Sequence, residues 1–172
     1  GGLLAACASS APEQAASGPP PHGRLADSGR NPYFVLEPGY RQTYTGGAGL
    51  LVVSVLADTE IVDGYTTRVV EERESKGNAL VELSRNFYAI DPVTQDVYYF
   101  GEDVDIYKDG KVVSHEGSWL SGVKGAKFGL YMPGLPLVGA KYYQEQAPGV
   151  GMDRAEILSV TETVNTKAGE FK

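Results

Sequence analysis

Cysteine, histidine and tryptophan are nearly absent: the 172 residues hold one Cys, two His and one Trp. A histidine-rich metal site is excluded by those counts, and nucleophilic catalysis is poorly supplied. His22 sits in a proline-rich stretch, which leaves His115 as the one histidine of the part expected to fold. It adjoins Ser114, and neighbours on a strand point to opposite faces, so a Ser/His/Asp arrangement has no support. Basic residues are also short, 15 against 22 acidic ones, for a net charge of −7 and a pI near 4.8. An acidic surface repels phosphate backbones, so nucleic acid is not an expected partner. No segment approaches the ~18 consecutive apolar residues of a spanning helix.

Tyrosine is plentiful, 11 residues, and 22 glycines and 10 prolines punctuate the chain. The length fits one domain with a real core. Residues 50–119 read as four or five long strands joined by tight turns at Asp63-Gly64, Lys76-Gly77-Asn78, Asp91-Pro92 and Asp109-Gly110. A first short strand is expected within residues 33–44. Residues 50–56 are apolar on both faces and are therefore placed centrally. In residues 80–90, Arg85 falls on the more apolar face and needs a partner, for which Glu71 or Glu72 of the preceding strand is the nearest candidate. Gly101 inside a strand predicts a bulge, the usual device for curling a sheet.

The ends read differently. Leu4-Ala5-Ala6-Cys7 resembles a bacterial lipobox, in which cleavage precedes a cysteine that then carries a diacylglycerol. On this reading residues 1–6 are the remnant of a truncated signal peptide and Cys7 is the lipidation site. Residues 7–32, rich in Pro, Ala and Ser, form a disordered tether with a mean reach of about 25–30 Å. Residues 33–172 form the folded domain. Residues 117–140 carry glycines without a usable period, together with Trp119, Phe128 and Tyr131, and are expected to be a long loop packed over one end of the sheet. The chain stops at Glu170-Phe171-Lys172, which reads as the opening of a further strand, so the sequence is expected to be incomplete there. The fold class is thus mostly β, a single antiparallel meander forming a strongly curved sheet or open half-barrel with a glycine-rich capping loop.

Several stretches carry a resemblance: Leu36-Glu37-Pro38-Gly39-Tyr40, Tyr98-Tyr99-Phe100-Gly101-Glu102-Asp103-Val104, Gly110-Lys111-Val112-Val113, Glu116-Gly117-Ser118-Trp119 and Ala147-Pro148-Gly149-Val150. Together they resemble an uncharacterised bacterial lipoprotein family with a curved antiparallel β-sheet domain. The family implies no activity. Its final turn usually reads proline-alanine-glycine-threonine-phenylalanine, where this chain has Lys167-Ala168-Gly169-Glu170-Phe171. Its strand layout is similar to the half-barrels of periplasmic lipoprotein carriers, a likeness of fold that licenses no function.

Three readings of function follow. The first is a membrane-anchored extracytoplasmic lipoprotein of the cell envelope, a non-enzymatic domain that binds an envelope protein or other partner. The second is a carrier of a lipid or other apolar molecule, held in the concave sheet by Phe87, Tyr88, Tyr98, Tyr99 and Phe100 under Trp119, Phe128 and Tyr131. The third is a carboxylate-dependent glycoside hydrolase. No cofactor, metal or catalytic residue is assigned. The acidic cluster Glu102, Asp103, Asp105 and Asp109 fails the calcium-loop spacing, because Tyr107 stands where the third ligand belongs. Asp103 and Asp105 share a strand face with Glu116 across the hairpin, which is read as a solvated negative face.

Overall fold

The computed structural model describes residue 20, residues 23–47 and residues 49–172. Cys7 and most of the expected tether lie outside these residues. Among the described residues there is no helix. A small hairpin, β1 (Gly29–Arg30) and β2 (Val35–Leu36), precedes an antiparallel meander of β3 (Arg41–Gly46), β4 (Gly49–Val62), β5 (Tyr65–Lys76), β6 (Ala79–Ile90) and β7 (Val97–Lys108). Both β8 (Lys111–Ser114) and β9 (Trp119–Leu120) pair with β7. Then come β10 (Lys127–Met132), β11 (Lys141–Tyr143), β12 (Glu145–Gln146), β13 (Arg154–Glu156), β14 (Val164–Thr166) and β15 (Gly169–Phe171). The main sheet runs β12-β10-β7-β6-β5-β4-β3 and curls into a half-barrel, as expected.

Local chemistry sets the hairpins. Asp63 and Gly64 have φ of 52° and 80°, and Asp109 and Gly110 have 52° and 73°. Two consecutive left-handed residues give the turn whose twist matches that of the strands it joins. The expected bulge is at Gly101, with φ 132°. Phe87 pairs with Gly101 while Tyr88 pairs with Tyr99, so Phe100 is the extra residue. A side chain at position 101 would collide with the Trp119 carbonyl, so only glycine lets β9 lie against β7 here.

Alternation splits the core in two. One face carries Val55, Val70, Tyr88, Ile90, Val97 and Tyr99, packed with Leu36, Trp119, Ala126 and Ala147. The other carries Val62, Tyr65, Val69, Phe87, Ala89 and Phe100. Leu36, Ala89, Val97 and Phe100 are completely buried. Each large side chain so buried stabilises the fold by about 1.5–3 kcal/mol before chain entropy is counted.

Four expectations change. The tether is ordered at its end: Ala26 bridges Ile90 through two 2.8 Å hydrogen bonds, and Asp27 takes a 2.6 Å bond from the Arg68 guanidinium. Arg24 reaches buried Asp91 at 2.6 Å. Arg24 and Asp27, expected to belong to the tether, are therefore partners of the sheet. Residues 117–140 supply β9 and β10, whose short lengths and interposed glycines hide any period. Residues 50–56 belong to β4, next to the edge strand β3 rather than at the centre. Finally, Arg85 pairs with Asp105 at 3.4 Å, not with Glu71 or Glu72. The buried arginine is Arg68, which also donates to the carbonyls of Ala57, Asp58 and Asp27.

Candidate functional site at the polar end of the half-barrel

Strand register carries the aromatic face outward into a polar one. Val70 pairs with Asn86 and Asn86 with Glu102; one step on, Glu72 pairs with Ser84 and Ser84 with Val104; a further step brings Glu74, Glu82 and Ile106. All of these follow the parity of Val70 and Tyr88, so they share the first face. Burial raises the pKa of Tyr131 on β10, a hydrogen bond with Tyr88 opposes the rise, and Glu72 of β5 and Tyr44 of β3 lie near enough to add to it. Those strands are far apart in the sheet order, so the first face is the inside of the curl.

A hydrogen-bonded floor links the two halves of this surface. The Tyr99 hydroxyl donates to Asn86 Oδ1 at 2.8 Å, and Asn86 Nδ2 donates to Ser84 Oγ at 3.2 Å and to the Val70 carbonyl at 3.5 Å. The Tyr99 ring stacks on Tyr88 at 4.9 Å and meets Trp119 edge-on at 5.3 Å. Polar groups buried in such a network are costly to displace, because each leaves a partner unsatisfied.

Above this floor stand Glu72, Glu82 and Glu102, each partly exposed, with Glu145 of β12 beside them and buried. Among the described residues none of the four makes an ion pair. Burial pushes the Glu102 carboxyl up to about 7; the Tyr99 hydroxyl opposes the rise, and the charges of Glu145, Glu82 and Glu72 add to it. Glu72 is raised by burial and then by Glu82. Glu145 is raised by burial and by Asp153, against a lowering influence from Trp119. The buried Trp119 indole N–H makes no hydrogen bond of good geometry, yet it lies close enough to the Glu145 carboxyl to act on it as a hydrogen-bond donor. The arrangement thus offers three carboxyl groups, those of Glu72, Glu102 and Glu145, whose proton affinity is raised.

The residues singled out from the sequence as a ligand-contacting set do not form one wall. Tyr88, Tyr99, Trp119 and Tyr131 belong to the inner face, where Tyr131 meets Tyr88 at 5.0 Å and Tyr99 at 5.8 Å. Phe87, Tyr98, Phe100 and Phe128 belong to the other face, where Phe100 stacks on Phe128 at 4.4 Å and Phe128 meets Tyr98 at 6.0 Å. Tyr65, at the tip of the β4–β5 hairpin, joins this second cluster through Phe100 and Phe128. The rings pack on one another. A consecutive run such as 98–100 necessarily serves both sides of a strand.

Glu82 and Glu145 were not singled out from the sequence, and Glu72 was named only as a candidate partner of Arg85. The available signal was parity: on β5 and β6 these glutamates continue the apolar face defined by Val70 and Tyr88. Of the acidic cluster read from the sequence, Glu102 faces inward, whereas Asp105 bonds to Arg85 at 3.4 Å and to His115 Nδ1 at 3.0 Å. Among the described residues no group of His, Cys, Asp and Glu is arranged to hold a metal ion.

Comparison of the chain with protein families, with curated proteins and with solved structures finds no match.

Proposed function

We propose that this chain is a membrane-anchored extracytoplasmic lipoprotein of the uncharacterised bacterial family it resembles, and that its domain binds a partner rather than catalysing a reaction. The anchor is Cys7, acylated after cleavage behind Ala6. Two or three acyl chains hold durably where one does not. The observation that carries the binding role is the set of unpaired glutamates on the inner face of the curl. Unpaired carboxylates that are even partly buried lower stability, and a chain that keeps several together is organised for something other than its own folding. The packed aromatic rings favour a ligand at the polar end over an apolar cargo among the rings.

Two experiments test this. Metabolic labelling of the full-length protein with a fatty acid should mark it and fail to mark Cys7→Ala; an unlabelled parent protein would refute the anchor. Capture from envelope extracts should recover a partner that Glu72→Gln and Glu102→Gln both release. Recovery unchanged by the two substitutions would remove the site from the account.

A second reading, a glycoside hydrolase, draws on Glu102, because a carboxyl held protonated near neutrality is what a general acid requires. Release of reducing ends from envelope polysaccharide, lost in Glu102→Gln, would establish it in place of the binding role.

A further inference from the structure

The other face of the sheet, on the outside of the curl, carries a shallow groove. Tyr98, Phe128, Leu130, Tyr143 and Gln146 surround about 300 Å³ of space, with Pro20 forming part of the wall. Phe128 and Leu130 share a face of β10, and Tyr98 meets Phe128 edge-on at 6.0 Å. Tyr143 comes beside them because Gly129 has no side chain, which would otherwise collide with the Tyr143 carbonyl. No charged side chain lines the groove, so a charged ligand finds no answering group there.

The polar groups of the groove ask for acceptors. Among the described residues the Tyr98 and Tyr143 hydroxyls and the Gln146 carboxamide have no hydrogen-bond partner. Tyr65, in the same aromatic cluster, shows how such a group is used: its hydroxyl donates to the Pro20 carbonyl at 2.6 Å. Proline has no N–H, so a run of prolines offers carbonyls alone between apolar rings. Its fixed φ keeps it extended, and little freedom is lost when it is bound. Aromatic walls with outward-facing donors are the complement of such a run. Pro20 stands within Pro19-Pro20-Pro21, and residues 1–19, which lie outside the described residues, lead up to it. Chain of the right chemistry therefore arrives at the wall of the groove.

We infer that this outer groove is the seat of the chain's own proline run, with Pro19 packed against Tyr98, Phe128 and Tyr143. A run held there makes the tether leave the domain from behind the sheet, away from the concave face that carries the glutamates. The free tether then shortens to residues 8–17, with a mean reach of about 16–19 Å. The inference is independent of the binding role proposed above.

Nuclear Overhauser spectroscopy of the full chain, together with titration by a synthetic peptide of residues 12–21, tests this. Cross-peaks from the Pro19 ring protons to the rings of Tyr98, Phe128 and Tyr143 are expected. Tyr143→Ala, at a residue 39% exposed, should remove them with circular dichroism unchanged. The peptide should bind a chain carrying Pro19→Ala, Pro20→Ala and Pro21→Ala, moving the amide signals of Gly129 and Leu130. It should bind the wild type, whose groove is already filled, at least about tenfold more weakly. Missing Pro19 cross-peaks, or cross-peaks that survive in Tyr143→Ala, would overturn the inference. Equal binding of the peptide to both chains would overturn it as well, because the groove would then stand open to prolines from another protein. A triply substituted chain that takes up no peptide in the groove would reject proline recognition altogether.

Discussion

Replacing Glu102 by glutamine should make this protein more stable, and only above a certain pH. The Glu102 carboxyl has its pKa raised from the ordinary 4.5 to about 7, chiefly by burial. Between those values the folded state holds a proton that the unfolded chain has released. The wild type is therefore free of the ionisation cost below about pH 4.5, loses stability through the interval, and bears the whole cost above about pH 7. A shift of this size corresponds to about 3 kcal/mol at about 1.4 kcal/mol per pH unit. Glu102 is partly open to water, and screening reduces this to about 1–2 kcal/mol. Glutamine keeps the shape and a donor for Tyr99 and carries no charge. Glu102→Gln should therefore gain about 1–2 kcal/mol at pH 8, or roughly 3–6 °C in Tm for a domain of this size, and should match the wild type at pH 4.5. Urea denaturation of both proteins at the two pH values measures this directly. A variant that is less stable at pH 8, or whose advantage is the same at both pH values, would refute the reasoning.

Other substitutions probe the scaffold. Gly101→Ala forces a side chain into the Trp119 carbonyl at a left-handed φ and should cost about 3 kcal/mol or more in a urea melt. Arg68→Ala removes the buried guanidinium that ties β4 and β5 to Asp27, and should cost about 3–5 kcal/mol while exposing residues 23–31 to limited proteolysis. Arg85→Ala breaks a longer, half-exposed pair with Asp105 and should change stability by under about 1 kcal/mol. Phe100→Ala leaves a hole between Tyr65 and Phe128 and should cost about 3–5 kcal/mol by the same assay.

Strand positions, hairpin turns and the bulge at Gly101 were legible because each rests on local chemistry. An Asp-Gly pair specifies its turn, and a glycine inside an alternating run marks a break in pairing. Arg68 was not legible as the buried arginine. Its partners are 10, 11 and 41 residues away, and Arg85 lies on a face that looked equally apolar until the curl exposed it. Residues 24–31 read as tether because prolines and small residues precede them, while the contacts that order them come from β5 and β6. The aromatic set was found, but its grouping was not, since β7 sends Tyr99 to one face and Tyr98 and Phe100 to the other. The glutamate site stayed hidden for a related reason. Glu72, Glu82, Glu102 and Glu145 come from four strands, and only register brings them together.

The claim on which the site depends is that these glutamates share one partly buried, cation-free surface. Carbon-13 NMR titration of the glutamate carboxyl groups, assigned with Glu102→Gln, tests it most directly. Glu102 should titrate with a midpoint of about 7, falling when a cationic ligand is added. A midpoint at the ordinary glutamate value, unmoved by ligand, would contradict it.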